Sequence, residues 1–545
     1  MSPRPRFTSK IDSVRNAVLG VLLIPLRWFS PATQFAIGFA FLVAATALLL
    51  TRWPFSFLRT LGVLSLSFFA YFVVWRLVKY RATNVDLLVS PARAFALVGS
   101  AILFETGLMW VGFVVSNAIA SQSTRAPFND SLVWSFTIPF AAASLLLTML
   151  LDRQLSLIAG IAAAGFAGLL ATESMPVVLY AFVSCVAAIY GVKKYRERQS
   201  VTLAGLFVAA ANCLVAIGLT TLVQRPASFS AVLVAGLFGI GGGLLTIIFA
   251  AGGVPINESL FGILTDIRLL ELTNAELPVL SQLALRAPGT NQHSHAVGQL
   301  AEDACRAIRA NALLARVGAL YHDIGKVAAP EHFVENQTGD NPHDRLKPIQ
   351  SAKIITSHVT YGLRLAKEIG LPKRIADFIP QHHGTRVLHF FLRKAEAQAN
   401  GATISEADFR YPGPKPQFKE AAILMLVDSA EAAARSLAHP NAENIRTIVG
   451  RIFDAVLSDG QLDESKLTLR ELSEVREAIV NSLLAIYHPR IVYPGFNAAL
   501  PAEDAMKARF TYESVADVPI NPSGEVEDEA VLHSESPEKT SRQKG

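Results

Sequence analysis

Seven side chains able to hold metal ions follow one another in the second half of this sequence: His293, His322-Asp323, His358, His382-His383 and Asp428. Imidazole and carboxylate together suit a divalent transition metal such as Mn(II) or Fe(II). A carboxylate can bridge two ions, whereas a neutral imidazole binds one. Two ions about 3.5–4 Å apart can activate a water and stabilise both the attacking and the leaving oxygen of a phosphodiester. Six ligands around a bridging Asp would meet that need. Lys326, in the run Tyr321-His322-Asp323-Ile324-Gly325-Lys326, is suited to hold a phosphate as a point charge, or it is simply a helix-end cation. A single His-Asp pair is common by chance, so it is the order H…HD…H…HH…D that points to a metal hydrolase. His295, His332, His343, His389, His439, His488 and His533 read as ordinary polar or surface residues. His295, close to His293, is also a candidate substrate-pocket group.

Positioning these groups requires a helical scaffold. From 291 to about 488 the chain is rich in Ala, Leu, Ile, Glu and Arg with few strand-like alternations, which predicts an all-helical domain able to bury its own core. Before it, 257–285 carries Leu260, Ile263, Leu264, Ile267 and Leu270 at helical spacing and reads as a pair of connector helices. Pro288-Gly289 breaks that helix just ahead of the first histidine. Segment 400–418, with Gly401 and Pro412-Gly413-Pro414-Lys415-Pro416, reads as a loop. The polar, acidic end of the chain reads as disordered.

The first half has a different composition. Hydrophobic residues make up 51% of the 545-residue chain, and none of its 12 histidines precedes His293. Apolar runs of spanning length fall near 33–50, 57–77, 92–115, 132–151, 154–171, 176–192, 202–223 and 230–251, giving about eight transmembrane helices. The stretch 18–26 is shorter and reads as an interfacial helix, since no cleavage site follows it. Basic residues gather before the first span (Arg4, Arg6, Lys10, Arg15, Arg27) and after the second (Arg76, Lys79, Arg81), fourth (Arg153) and sixth (Lys193, Lys194, Arg196, Arg198). The intervening connections hold fewer, which by the positive-inside rule starts the chain in the cytoplasm and returns it there after the eighth span. The net charge of +5 therefore reflects topology rather than binding to a nucleic-acid polymer. Glu105 falls mid-span, a functional candidate by default unless it only pairs with a neighbouring helix; Asn212 is expected to hydrogen-bond between helices. The three cysteines, Cys185, Cys213 and Cys305, have no ligand-like spacing and read as small apolar residues.

In its motifs the sequence resembles the membrane-anchored seven-transmembrane HD proteins, the PgpH-type cyclic di-AMP phosphodiesterases. The resemblance is carried by TDIRLLEL (265–272), APGTNQHSHAVGQLAE (287–302), GALYHDIGKV (318–327), NPHDRL (341–346), SAKIITSHVTYGLRLAKE (351–368), QHHGT (381–385), FRYPGPKPQFKEAAILMLVDSAEAAARSL (409–437) and DGQLDESKLTLREL (459–472). It covers about 57–495, weakly in the membrane part and strongly from Thr265 onward. It implies a two-ion site of Mn2+ or Fe2+, with one ion on His293, His322, Asp323 and Asp428 and the other on Asp323, His358, His382 and His383. Asp323 would bridge the ions, and His322, Asp323 and Lys326 would take part in catalysis. The implied reaction is in-line hydrolysis of cyclic di-AMP by activated water, giving linear pApA. Family members commonly insert a large extracytoplasmic domain after the first span; here 51–56 is all that separates the first two. Asn291 stands where an aromatic is expected and Gln299 where Asn is, neither of them a ligand.

The expected architecture is all-α. A cytoplasmic segment 1–31 precedes a membrane domain 32–251, connector helices 252–286, an HD phosphohydrolase domain 287–495 and a disordered tail 496–545. The expected setting is a bacterial inner membrane, with the catalytic domain in the cytoplasm and a homodimer formed through the connector. An HD-GYP cyclic di-GMP phosphodiesterase is the rival enzyme, but no GYP triplet follows His382-His383. A nucleotide-binding receptor without turnover would be favoured by loss of a ligand, and none is lost. A transporter finds little beyond Glu105 and Asn212 to line a pathway.

Overall fold

The computed structural model describes residues 29–51, 55–84, 89–192, 199–223, 228–399, 403–437 and 440–487. The tail 496–545 and nearly all of 1–31 lie outside that set, as do the expected interfacial stretch 18–26, His439, His488, His533 and the basic residues before Trp28 and at 193–198. By contacts the chain divides into one unit, Met1–Leu484, and a second, Ala485–Gly545; the description below concerns the first.

Among the described residues every regular element is helical, and the only strand-like feature is a lone antiparallel bridge between Val387 and Arg410. The apolar half comprises α1 (Pro31–Leu50), α2 (Phe57–Asn84), α3 (Pro91–Gln122), α4 (Ser131–Ser135), α5 (Ala142–Leu150), α6 (Arg153–Leu170), α7 (Ser174–Gly191), α8 (Gln199–Val223) and α9 (Phe229–Phe261). Seven of these, all but α4 and α5, are long and apolar enough to cross a bilayer. Large apolar side chains such as Phe41, Phe69, Leu214 and Phe229 point outward from them, as lipid-facing residues would.

The stretch expected as a span at 132–151 is broken into α4 and α5 by residues 136–141. Pro139 has no N–H to continue a helical ladder, and backbone polar groups inside a bilayer must find partners within the protein. Side chains from neighbouring helices supply them. The Tyr180 hydroxyl donates to the Phe136 carbonyl (2.8 Å), Cys185 Sγ donates to the Phe140 carbonyl (3.2 Å), and Ala143 N–H donates to Glu105 Oε2 (2.9 Å). An ion pair indicates that the broken stretch still crosses. Arg81 Nε lies 3.1 Å from Asp152 Oδ2, so the end of α2 and the start of α6 share one membrane face. Since α3 carries the chain away from that face, α4 and α5 must bring it back. Arg153 donating to the Val192 carbonyl (2.9 Å) puts the end of α7 there too.

Asn212 is buried on α8, but its amide oxygen and nitrogen have no hydrogen-bond partner. The interhelical bond expected of it is not made. Its helix meets α9 backbone to backbone, where a Cβ on Gly239 would lie 2.7 Å from the Asn212 carbonyl oxygen.

The last apolar helix does not stop near 251. α9 runs through Pro255 to Phe261 and ends at Gly262, whose φ of +66° gives the left-handed cap that suits glycine. The connector beyond it is two short helices, α10 (Asp266–Glu271) and α11 (Pro278–Arg286), with Thr265 capping the first through its hydroxyl. Tyr321 donates to the Leu272 carbonyl (2.8 Å), tying the connector to the helix that leads into the His-Asp motif.

The second half comprises α12 (Pro288–Ala307), α13 (Ala312–Tyr321), α14 (Pro348–Ile369), α15 (Lys373–Ala376), α16 (Phe378–Gln381), α17 (His389–Gln398), α18 (Lys419–Arg435), α19 (Ala442–Ser458) and α20 (Leu469–Ile486), with 3-10 turns between α13 and α14. Pro288 takes the first position of α12, where its missing N–H costs nothing; the expected break lies just before it, at Ala287. The core is built around α18, whose residues Ala421, Ala422, Ile423, Leu424, Met425, Leu426 and Val427 are all fully buried. Asp428 follows directly, so the helix that organises the core also delivers a carboxylate to its edge.

Candidate metal centre

The side chains converge from five places in the chain. α12 brings His293, the end of α13 brings His322 and Asp323, α14 brings His358, the turn after α16 brings His382 and His383, and α18 brings Asp428. Two short turns make the convergence possible. After Asp323 the chain enters a 3-10 turn, Ile324–Ala328, in which Gly325 is pressed against α14; a Cβ there would lie 1.9 Å from the His358 carbonyl oxygen. After His383, Gly384 has φ +55° and lies against Gln461, whose amide oxygen accepts from Thr385 N–H (3.0 Å).

The potential ligand atoms form two groups: Asp323, His358, His382 and His383 in one, His293, His322 and Asp428 in the other, with the atoms of each group within 4.8 Å of one another. Asp323 lies between them. Its Oδ1 is 3.4 Å from His358 Nε2 and 3.5 Å from His382 Nε2, while its Oδ2 is 3.1 Å from His322 Nε2 and 4.0 Å from His293 Nε2. Asp428 Oδ1 approaches His293 Nε2 (2.9 Å) and His322 Nε2 (3.7 Å), and Asp428 Oδ2 approaches His383 Nδ1 (3.9 Å).

Chemistry decides whether these residues fit an ion. The Nε2 atoms of His322, His358 and His382 and the Oδ1 of Asp323 are buried with no hydrogen-bond partner. Unpaired buried polar atoms are costly, about 1–3 kcal/mol each, and four aimed at one place are unusual. The opposite ring nitrogens are bound. His322 Nδ1 meets the Ala319 carbonyl (2.6 Å), His358 Nδ1 the Ile355 carbonyl (2.6 Å) and His382 Nδ1 the Phe378 carbonyl (3.2 Å). Each carbonyl holds a proton on Nδ1 and aims Nε2 at the centre, the second-sphere pattern of metal-binding imidazoles. His293 is oriented by a carboxylate instead, Nδ1 lying 2.6 Å from Glu431 Oε2. The donor set fits divalent ions.

Electrostatics in the ion-free site follow. Burial works against charge on His322, but the Asp323 and Asp428 carboxylates outweigh it and raise the imidazole to about 10. Burial alone would raise Asp323; His322 and Lys326 overcome it and hold the carboxyl well below its usual range. Asp428 is likewise held low, mainly by His293 and His322 against its burial. Burial lowers His358 to about 4 and, with His382 beside it, takes His383 well below the usual imidazole range. Those two rings are neutral at physiological pH, as ligands must be.

Lys326 is not a free helix-end cation. Its Nζ lies 2.8 Å from Asp323 Oδ2 and 2.8 Å from Glu335 Oε1, over the Phe333 ring. Burial disfavours its charge, but the two carboxylates raise its pKa above the ordinary lysine range. Glu335 also accepts from Thr290 Oγ1 (2.8 Å), three residues before His293. His295 is exposed on the other side of α12 and joins neither group. His332 and His343 meet edge to face and join neither group, with His343 Nε2 2.9 Å from the His332 carbonyl, and His389 is exposed at the start of α17. Gln299 turns outward to Asp303.

Three residues at the centre went unremarked as site groups in the sequence: Glu335, Glu431 and Tyr411, whose ring stacks on His383 at 4.2 Å. Glu431 was legible in principle, being one helical turn from Asp428 on the same face. Glu335 sits among 3-10 turns with no periodicity to announce it, and Tyr411 lies in the extended segment before Pro412.

Two family models match this chain. One, described as 7TM receptor with intracellular HD hydrolase, matches residues 57–265; the other, HD domain, matches residues 290–433. The apolar half thus resembles the membrane part of that receptor family, and the second half carries an HD domain. From α2 to α9 the chain has six continuous apolar helices and the broken pair α4 and α5, which together supply seven crossings; α1 precedes them, separated only by 51–56. Its curated relatives include the cyclic-di-AMP phosphodiesterase PgpH of Bacillus subtilis (strain 168), 39% identical over 366 residues, covering 66% of this chain and 51% of the relative. The protein of the same name from Listeria monocytogenes serotype 1/2a (strain 10403S) is 38% identical over 364 residues, covering 66% and 50%. The chain thus spans about half the length of these relatives. A crystal structure of the L. monocytogenes PgpH HD domain in complex with cyclic di-AMP is 46% identical, covers 40% of this chain and 100% of that one, and has a TM-score of 0.38.

Proposed function

We propose that this membrane protein is a two-metal phosphodiesterase that hydrolyses cyclic di-AMP to linear pApA, with its HD domain in the cytoplasm. The observation that carries the reading is Asp323, which turns one oxygen to each of two ligand groups while buried unpaired nitrogens surround it. His293, His322, Asp323 and Asp428 would hold one divalent ion, and Asp323, His358, His382 and His383 the other; Mn2+ and Fe2+ both suit such donors. Bound there, the ions would supply Lewis acidity toward phosphoryl oxygens and activation of water at neutral pH.

The protein's own contribution is orientation and charge. The carbonyls of Ala319, Ile355 and Phe378 fix three imidazole tautomers. Lys326 places a permanent cation beside Asp323, where it can hold a substrate phosphate as charge builds on its oxygens. Glu335 and Phe333 keep the lysine from swinging into solvent. The dinucleotide is assigned from the names of the two PgpH relatives, since the metal geometry alone fits any phosphodiester. The cytoplasmic assignment is supported by Arg76, Lys79, Arg81 and Arg153, which lie toward the face shared by the ends of α2 and α7. The full chain in lipid, supplied with Mn(II) or Fe(II), should hydrolyse cyclic di-AMP faster than cyclic di-GMP. Faster turnover of cyclic di-GMP would reassign the substrate, and no turnover of either with both ions bound would reduce the protein to a receptor.

A further inference from the structure

Glu105 plays no part in the metal centre. It lies in α3 among membrane-crossing helices, fully buried, with one carboxylate oxygen accepting from Ala143 N–H at the start of α5 and the other, Oε1, meeting no partner. No Lys or Arg pairs with it among the described residues. Of the elements packed against α3, α1, α4 and α5 carry no titratable side chain. α2 offers Tyr71, engaged with Thr46 and the Gly99 carbonyl, and its basic residues lie toward the helix ends. α6 and α9 offer only Arg153 and Glu258 near their ends, the first bound to the Val192 carbonyl and the second to Thr265. From α7, Cys185 reaches the break but already donates to the Phe140 carbonyl.

An ionised carboxylate in that setting would be a buried charge with one hydrogen bond, which the interior of a bilayer disfavours strongly. Something positive must reach Oε1. A metal cation needs a shell of several oxygens, yet the carbonyls of Phe136 and Phe140 at the helix break are taken by Tyr180 and Cys185. A proton needs only the one oxygen.

We propose that Glu105 and the break between α4 and α5 form a proton-binding site inside the membrane half. The neutral acid keeps its bond to Ala143, while loss of the proton places a full negative charge against the first turn of α5, where the helix dipole attracts it. The same break touches α9, since a Cβ on Gly242 would lie 2.5 Å from the Phe136 carbonyl oxygen, and α9 is the helix that continues into the connector.

Infrared difference spectra of the full chain in lipid vesicles, wild type minus Glu105→Gln, test the assignment. The glutamine retains an acceptor for Ala143 but has no carboxyl proton. At neutral pH the difference should show the C=O stretch of a protonated carboxyl, shifted in D2O and bleached at alkaline pH. A carboxylate pair of bands in its place would overturn the proposal, and bleaching by sodium at fixed pH would reassign the site to a metal cation. An apolar carbodiimide, which attacks protonated carboxyls, gives a measurement on the wild type alone. It should modify Glu105 at neutral pH and less as pH rises; no modification at any pH would overturn the site.

Discussion

Replacing Gly325 by alanine would place a methyl group 1.9 Å from the His358 carbonyl oxygen and 2.7 Å from Gly362 N. Ordinary contact begins near 3.4 Å, so the turn and α14 would have to part by about 1.5 Å, and both partners are backbone that cannot rotate away. Asp323 lies two residues before the insult and His358 carries the oxygen that is struck, so the strain falls between two ligands of one group. Overpacking of this kind costs about 1–3 kcal/mol of stability. Displacement of a reacting geometry by about 1 Å costs on the order of 10²-fold in rate. Gly325→Ala should therefore unfold at a lower temperature and, at a temperature where it remains folded, hydrolyse cyclic di-AMP about 10²-fold or more slowly with both ions supplied in excess. The assay is initial-rate pApA formation on the full chain, paired with thermal unfolding of the same sample. Wild-type kcat together with wild-type Tm would refute the reasoning, because no room exists for the methyl group without movement.

Other outcomes follow from the same geometry. Glu431→Gln weakens the carboxylate that orients His293 at 2.6 Å; it should lower divalent-ion affinity about 10–100-fold in a titration of the ion-free protein, and unchanged affinity would remove Glu431 from the support of the site. In the ion-free protein His322 is raised to about 10 and therefore protonated at neutral pH, so its Nε2 lone pair becomes available only when that proton leaves. Ion uptake should release protons and tighten as pH rises toward 10; calorimetry in buffers of differing ionisation heat would contradict this if it detected no release. His295→Ala should keep its ion content and turnover, since the side chain is exposed away from both groups, and a large loss of rate would return it to the substrate pocket.

The sequence announced the ligand types because metal chemistry restricts them, and their order is preserved in the chain whatever the loops between them do. Helicity was legible too, from the Ala-, Leu- and Glu-rich composition and lack of strand-like alternation over the segments that become α14, α19 and α20. What periodicity cannot report is a helix interrupted by tertiary partners. The stretch 132–151 carries no charged residue, and Tyr180, Cys185 and Glu105, from helices distant in sequence, make the gap at 136–141 tolerable. Pro139 was the one local warning. At the other end, the apolar run alone set the expected limit near 251, whereas α9 continues through Pro255 to Phe261. The orientation of the imidazoles was out of reach as well, because it depends on carbonyls three or four residues back along each turn and, for His293, on a glutamate 138 residues away.

The bridging role of Asp323 is tested most directly by counting ions. Wild-type chain loaded with Mn(II) or Fe(II) and freed of excess by gel filtration should retain two per chain by elemental analysis. Asp323→Ala should retain no more than one and form no pApA from cyclic di-AMP. A variant that kept two ions and hydrolysed at the wild-type rate would contradict the two-metal account at its centre.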